Sequence, residues 1–430
     1  MAAYLQQLAE SLDFSLEQRA MGIQAGTPNL ELPPVLLGRL GTDSNKKTIL
    51  IYGHYDVQPA EKSDGWTHEP FEVFQHKDGR LIGRGITDDK GPVIAWFNAI
   101  QAYQRSGVEL PVNLIFCIEG MEESGSEGLE SLIRLEKSRY FKDVDAICIS
   151  DNYWLGSTQP VLTYGLRGCS YYALKISGPN ADLHSGVFGG TCREPTNDLI
   201  HLMSKLTNPQ GDILIPGLQE LVAPLTTEEA KLYDNITFSM QDLYKGLGNS
   251  YSARFESEKE TLMARWREPA LSIHGIEGAF AAPGAKTVIP ASVTGKFSIR
   301  TVPNMEPAKV DKLVFDYVNK CFQDLHSHNQ MTVSLINTGK WWLSSPKDVN
   351  FEAAAKATEA VWGKAPDLTR EGGSIPVCLI FEQTLGKNVL LLPMGRGDDG
   401  AHSVDEKLDV LNYIEGTKTF IAYLHYISNT

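Results

Sequence analysis

Thr48-Ile49-Leu50-Ile51-Tyr52-Gly53-His54-Tyr55-Asp56 is an apolar run that stops on glycine and then on two side chains able to hold or orient a metal. Unbroken apolarity from Ile49 to Tyr52 predicts a strand covered on both faces, as in a parallel sheet with helices on either side. The same construction recurs along the chain. Val112 to Ile118 predicts a strand leading into Glu119-Gly120-Met121-Glu122-Glu123, and Ala146 to Ile149 one leading into Ser150-Asp151-Asn152. Val389 to Leu392 predicts a fourth, upstream of Gly400-Ala401-His402-Ser403, and a further ligand-bearing piece is Thr87-Asp88-Asp89-Lys90-Gly91. Parallel strands place ligands at their carboxyl ends, so these histidines and carboxylates are expected at one sheet edge. Nitrogen and oxygen donors without a thiolate suit zinc or manganese and argue against an iron–sulfur or structural zinc site. The pattern predicts a two-metal hydrolase.

Working outward, the early part of the chain alternates strand and helix patterns, with one helix entered through Gly91-Pro92 and another from Gly128 to about Lys137. From about Arg167 the texture changes. Cys169 to Ile176 alternates like a half-exposed strand, Arg193 to Lys205 reads as an amphipathic helix entered through Pro195, and Asn208 to Pro269 is polar and helical. Thr294 to Val302, Pro307 to Cys321 and Met331 to Ile336 follow as strand, helix and strand. Beyond about Asn337 the α/β texture returns, with helices at Phe351 to Trp362 and Val410 to about Tyr426. The expected fold class is α/β. A discontinuous catalytic domain, residues 1–166 and 338–430, carries a mostly parallel, helix-covered sheet, and residues 167–337 form an inserted α+β domain.

A chain of 430 residues can bury two cores. Its net charge of −14 argues against nonspecific binding to nucleic acid or anionic membrane, which requires clustered Lys and Arg. No apolar run approaches the ~18 residues of a membrane span, and Met1 to Leu8 lacks the basic and apolar regions of a signal peptide. The six cysteines are scattered without a C-x-x-C pair, so a cytoplasmic, disulfide-free protein is expected.

Each ligand candidate has an ordinary structural reading beside the chemical one. His54 and Asp56 leave the same strand face, so Asp56 can orient a ligating imidazole. Asp88 and Asp89 open a helix, where aspartate is a common cap, and spacing does not say which of them faces a metal. Glu122 and Glu123 can divide metal coordination and general acid–base work, or form a solvated acidic turn. Asp151 and His402 are ordinary turn residues when taken singly. Their joint placement at the ends of strands in one α/β domain favours the metal site. Elsewhere, His184 in a glycine-flanked turn could bind substrate or an oxyanion. Arg300 could clamp a carboxylate, and the Glu371-Gly372-Gly373-Ser374 loop could grip an anion.

Several strings then match a known family. Gly53-His54-Tyr55-Asp56-Val57-Gln58-Pro59, Gly83-Arg84-Gly85-Ile86-Thr87-Asp88-Asp89-Lys90-Gly91-Pro92 and Glu119-Gly120-Met121-Glu122-Glu123-Ser124-Gly125-Ser126 are the longest. Ser150-Asp151-Asn152, Asp182-Leu183-His184-Ser185-Gly186, Gly284-Ala285-Lys286-Thr287-Val288-Ile289-Pro290 and Arg370-Glu371-Gly372-Gly373-Ser374-Ile375-Pro376 complete the set. With these motifs the chain resembles the cytosolic nonspecific dipeptidases, the carnosine-dipeptidase-like branch of peptidase family M-twenty. The resemblance implies two divalent ions, Zn2+ or Mn2+, bridged by Asp88. One is also held by His54 and Asp151, the other by Glu123 and His402. It further implies that Asp56 supports His54, that Glu122 is the general base and acid, and that Thr287, Arg300 and Ser374 bind substrate. His184 would reach in from the partner of a homodimer, and the inserted domain would serve as lid and dimerisation surface. The implied substrates are dipeptides with a free C-terminal carboxylate, including Cys-Gly derived from glutathione.

Two departures stand out. Relatives carry a helical segment ahead of the part matching Tyr4 onward, so the edge of the catalytic domain is expected to be less well covered. Arg193-Glu194-Pro195 is expected to alter the start of the lid helix. An N-acyl-amino-acid amidohydrolase could use the same metal site. A non-catalytic scaffold on a decayed hydrolase fold predicts a lost ligand or base, and every one of those residues is present.

Overall fold

Alternate residues of the central strands feed two different cores, which is why those strands are apolar throughout. On Thr48–His54, Ile49 and Ile51 face one layer while Leu50 and Tyr52 face the other. Asn113–Glu119 repeats the division, with Leu114, Phe116 and Ile118 opposite Ile115 and Cys117. Helices Lys90–Ser106, Val349–Trp362 and Val410–Ser428 close the first core, where Trp96 stacks on Phe420 with ring centroids 4.2 Å apart. Leu129–Glu136 and Pro376–Leu385 close the second, with Phe381 edge-on to Tyr52. Truncating a buried aromatic of this kind to alanine typically costs about 3–5 kcal/mol. The computed structural model describes residues 1–248 and 253–430. Among them no helix is long and apolar enough to cross a membrane.

The large sheet has nine strands, with Asn113–Glu119, Thr48–His54, Ala146–Ile149 and Val389–Leu391 side by side at its centre. These four are parallel, whereas Val35–Leu40 on one flank and Val161–Leu166 on the other pair with them antiparallel. The sheet is thus mixed, with a parallel centre. Register then sets the site. His54 pairs with Glu119 and Tyr52 with Ile149. Asp151, two residues past Ile149, is therefore carried level with His54, two residues past Tyr52.

A separate four-stranded antiparallel sheet runs Ala270–Glu277, Ser292–Thr301, Gly168–Ser177, Gln330–Gly339. Helices Pro195–Met203 and Pro307–Asp324 pack on it through Leu199, Leu202, Val310 and Val314. Only Arg167 separates Val161–Leu166 in the large sheet from Gly168–Ser177 in the small one. The last strand of the small sheet extends to Gly339, two residues beyond the break expected at 337.

Other expectations shift as well. Among the described residues the polar stretch from Asn208 holds a 3-10 turn, Gln219–Leu221, and three short α-helices, Thr227–Tyr233, Met240–Leu247 and Glu258–Trp266. Part of that stretch, 249–252, lies outside the described residues. The strand Ala270–Glu277 was not foreseen, because it is an edge strand exposed along most of its length and its apolar alternation, Leu271 and Ile273, stops at Gly275. The helix at Arg193 begins at Pro195, with Glu194 as its cap residue.

Candidate metal centre

His54 ends its strand fully buried, and its two ring nitrogens have different neighbours. Nδ1 lies 3.1 Å from the Asp56 main-chain oxygen and 3.3 Å from Asp56 Oδ1. Nε2 lies 3.1 Å from Asp88 Oδ1 and 3.4 Å from Asp151 Oδ1. A proton on Nδ1 satisfies Asp56 and leaves Nε2 as the inward lone pair, the tautomer a metal ligand needs. Across the site His402 Nε2 lies 3.1 Å from Asp88 Oδ2 and 2.9 Å from Glu123 Oε2. Asp88 thus turns one oxygen to each histidine. His54, Asp88 and Asp151 form one cluster, and Asp88, Glu123 and His402 a second, with ligand atoms within 4.8 Å of one another in each.

Spacing had left open which aspartate faces the site, and the geometry separates them. Asp89 is the cap residue of Lys90–Ser106 but makes no side-chain cap bond. Its Oδ2 instead accepts from the His54 main-chain N–H at 3.1 Å. The space for it exists because residue 53 is glycine: a Cβ there would stand 2.6 Å from Asp89 Oδ2 and 2.5 Å from Val93 Cγ2. Glu122 and Glu123 lie in the short 3-10 turn Glu122–Ser124. Asp56 holds that turn by accepting the main-chain N–H groups of Glu122 at 3.3 Å and Glu123 at 3.1 Å.

Charge supports the metal fit. Among the described residues the cationic partners of Asp88, Asp151 and Glu123 are histidines alone. Burial raises Asp151 to about 6, and burial together with the Asp151 charge pushes Glu122 up to about 9. Burial works against Asp88 ionising, but the hydrogen bonds from His402 and His54 hold it below the ordinary carboxylate range. Hydrogen bonds to Asp88 and Glu123 raise His402 to about 10. Carboxylates crowded in a desolvated pocket favour a bound cation, and the imidazole–carboxylate set fits a divalent ion of the zinc or manganese kind.

The substrate-binding candidates form two pairs away from these clusters. His184 is exposed and lies in a two-residue strand paired with Val288–Ile289, beside Thr287, whose main-chain oxygen accepts from Ser185 N–H at 3.2 Å. Its Nδ1 accepts from Gly186 N–H at 3.0 Å. Arg300 donates through Nη1 to Ser374 Oγ at 3.0 Å, and Ser374 Oγ donates to the Arg167 main-chain oxygen at 2.5 Å. Among the described residues no hydrogen bond or ion pair joins either pair to the metal-ligand candidates.

Three supporting residues were not anticipated. Gln58 holds Glu123 through its main-chain N–H at 3.2 Å and Nε2 at 2.8 Å. Its only sequence signal is its place in the Gly53-to-Pro59 string. Glu119 is buried between the Tyr52 and Ser126 hydroxyls at 2.6 and 2.7 Å. Glu406 carries no local signal, because its partners lie more than three hundred positions away.

A parallel sheet edge carrying two imidazole–carboxylate clusters that share an aspartate defines a metal-dependent α/β hydrolase. Comparison with known proteins agrees. The model of "Peptidase family M20/M25/M40" matches residues 50–426. The chain is 56% identical over 431 residues to the Cys-Gly metallodipeptidase DUG1 of Candida albicans, covering 99% of this chain and 89% of the relative. It is 46% identical over 395 residues to the Beta-Ala-His dipeptidase of Homo sapiens, covering 92% of this chain and 78% of the relative. The structure of the di-peptidase Dug1p from Saccharomyces cerevisiae superposes with a TM-score of 0.94 at 53% identity, over 100% of this chain and 90% of that one. The chain belongs to peptidase family M20/M25/M40. It is an enzyme, a metallopeptidase.

Proposed function

We propose that the protein hydrolyses dipeptides with a free C-terminal carboxylate, Cys-Gly among them, at a centre of two divalent ions, zinc or manganese. The observation that carries this reading is Asp88, whose two oxygens face the two imidazole–carboxylate clusters. Similarity to Cys-Gly metallodipeptidases at 54–56% identity supports the substrate and a place in glutathione breakdown, and sets an N-acyl-amino-acid substrate second. Asp88, His54 and Asp151 would hold one ion, and Asp88, Glu123 and His402 the other. When bound, the ions polarise the peptide carbonyl and the attacking water.

The chain's own residues do the rest. Glu122 takes a proton from the attacking water on its carboxylate and returns it to the leaving amine. Its half-buried place beside Asp151 raises its affinity for that proton. Asp56 fixes His54 through Nδ1. Arg300 and Ser374 grip the substrate carboxylate, and Thr287, next to His184 in the chain's own fold, also binds substrate. His184 of a partner subunit steadies the oxyanion in a cytoplasmic homodimer. The domain division proposed is residues 1–166 with 338–430 as the catalytic part and 167–337 as lid and dimerisation part; the separate nine- and four-stranded sheets support it, with the last small-sheet strand running on to Gly339.

Glu122→Gln tests the proton role directly. It should keep full metal content and lose about a hundred- to ten-thousand-fold in kcat on Cys-Gly, the usual worth of general acid–base work. Wild-type turnover in the metal-loaded variant would refute the role of Glu122.

A further inference from the structure

Glu406 is fully buried and lies four residues after His402. Its carboxylate accepts four hydrogen bonds, all from the segment 84–88 that ends at the metal-facing aspartate. Oε2 takes Arg84 Nη1 at 2.8 Å and the Gly85 main-chain N–H at 3.0 Å. Oε1 takes the main-chain N–H groups of Thr87 at 3.0 Å and Asp88 at 3.2 Å. The Glu406 main-chain oxygen accepts a fifth, from Gly83 N–H at 2.9 Å. Two neighbours complete the attachment. Thr87 Oγ1 donates to Asp399 at 2.9 Å, and Lys407 donates to the same carboxylate at 2.6 Å. Arg84 lies over the Trp66 ring, 5.0 Å from its centroid.

This arrangement exceeds what charge balance requires. One ion pair with Arg84 would neutralise Glu406, yet both carboxylate oxygens also take main-chain N–H groups. Each buried N–H left without its partner is destabilising. The geometric effect is to fix the peptide plane from which the Asp88 side chain departs. His402, on the same C-terminal segment, meets that side chain from the other end at 3.1 Å.

We infer that Glu406 is a positioning residue for the metal centre, fixing the Asp88 main chain so that its two oxygens face both clusters at once. The inference rests on the two-ion reading above and adds a consequence to it. Because Asp88 is shared, disturbing Glu406 weakens both ion positions together. Residues that orient metal ligands are typically worth about 10–100-fold in metal affinity.

The test is Mn2+ titration of the metal-free 430-residue chain, following loss of the free-ion EPR signal, for wild type, Glu406→Gln and Glu406→Asp. Glutamine replaces one acceptor oxygen by an NH2 group that faces N–H donors. Glu406→Gln should therefore weaken both Mn2+ positions by roughly 10–100-fold. Aspartate keeps the charge opposite Arg84 but withdraws the carboxylate by one methylene, so it should weaken both by less. It decides the matter on the same readout if the glutamine variant does not fold. A purely structural Glu406 would lower the melting temperatures of metal-free and metal-loaded protein equally while leaving Mn2+ affinity unchanged, which would overturn the inference. Weakening of one position alone would also overturn it. A wild-type chain binding fewer than two ions would remove the two-ion reading and this inference with it, whereas two-ion wild type with unchanged variants removes the inference alone.

Discussion

On the proposed two-ion reading, a proton and a metal ion compete for one nitrogen at His402. The His402 main chain has φ 62°, a left-handed conformation uncommon for a residue with a side chain and frequent at functional sites. It directs Nε2 at Asp88 Oδ2 and Glu123 Oε2. Those carboxylates raise its pKa to about 10, so near pH 7 the metal-free protein carries a proton where an ion must bind. His54 is also shifted upward: burial opposes its charge, but Asp151, Asp56 and Asp88 prevail. The sign follows directly. The metal-free imidazole is protonated below its pKa and the ligating one is bare, so metal binding releases protons and strengthens as pH rises. Apparent affinity should climb about tenfold per pH unit for each proton released between roughly pH 6 and 9. Calorimetry of Zn2+ binding in buffers with different ionisation heats would measure the release, and buffer-independent heats would contradict it.

The strand ends dominate at the scale of elements. Thr48–His54, Asn113–Glu119 and Ala146–Ile149 were legible because burial on both faces leaves no polar residue to interrupt the run. Their order and shared direction then made the ligand edge legible too. Elements with weaker constraints were not. Val161–Leu166 contains Thr163 and Gly165, and Ala270–Glu277 lies exposed on an edge. The helix Pro376–Leu385 opens with an apolar Pro376-Val377-Cys378-Leu379-Ile380-Phe381 run that has no helical period. Within the site, ligand-bearing segments could be found from the strings, but not the choice of Asp88 over Asp89, which depends on a contact between two elements. Gly53 is the sequence trace of that contact. Gly53→Ala would place a Cβ against Asp89 Oδ2 and Val93, both anchored in buried structure. Overpacking of this kind costs roughly 1–3 kcal/mol. The variant should melt several degrees lower in the metal-free state and bind metal more weakly, since His54 N–H loses its seat on Asp89. An unchanged melting temperature would show that the Lys90–Ser106 helix can move aside.

For the whole molecule, the question is what brings His184 to a reacting carbonyl. It belongs to the segment carrying the small sheet and is exposed, whereas the metal-ligand candidates cluster at the edge of the large sheet. Its Nδ1 is occupied by Gly186 N–H, which leaves Nε2 to act outward. A symmetric dimer would let each small-sheet domain serve the other subunit's metal edge, making catalysis depend on assembly and on closure of the lid. His184→Ala and Glu122→Gln chains, each inactive alone, should then complement when mixed. In a mixed dimer one site combines an intact Glu122 with the partner's intact His184, and the other site lacks both. Random exchange of equal amounts makes half the dimers mixed with one good site each, so activity should recover to about a quarter of wild type. Mass spectrometry of differently tagged chains would establish that subunits exchange. Verified heterodimers without recovery would place His184 within its own subunit's chemistry or outside catalysis, and the shared-site arrangement would fall.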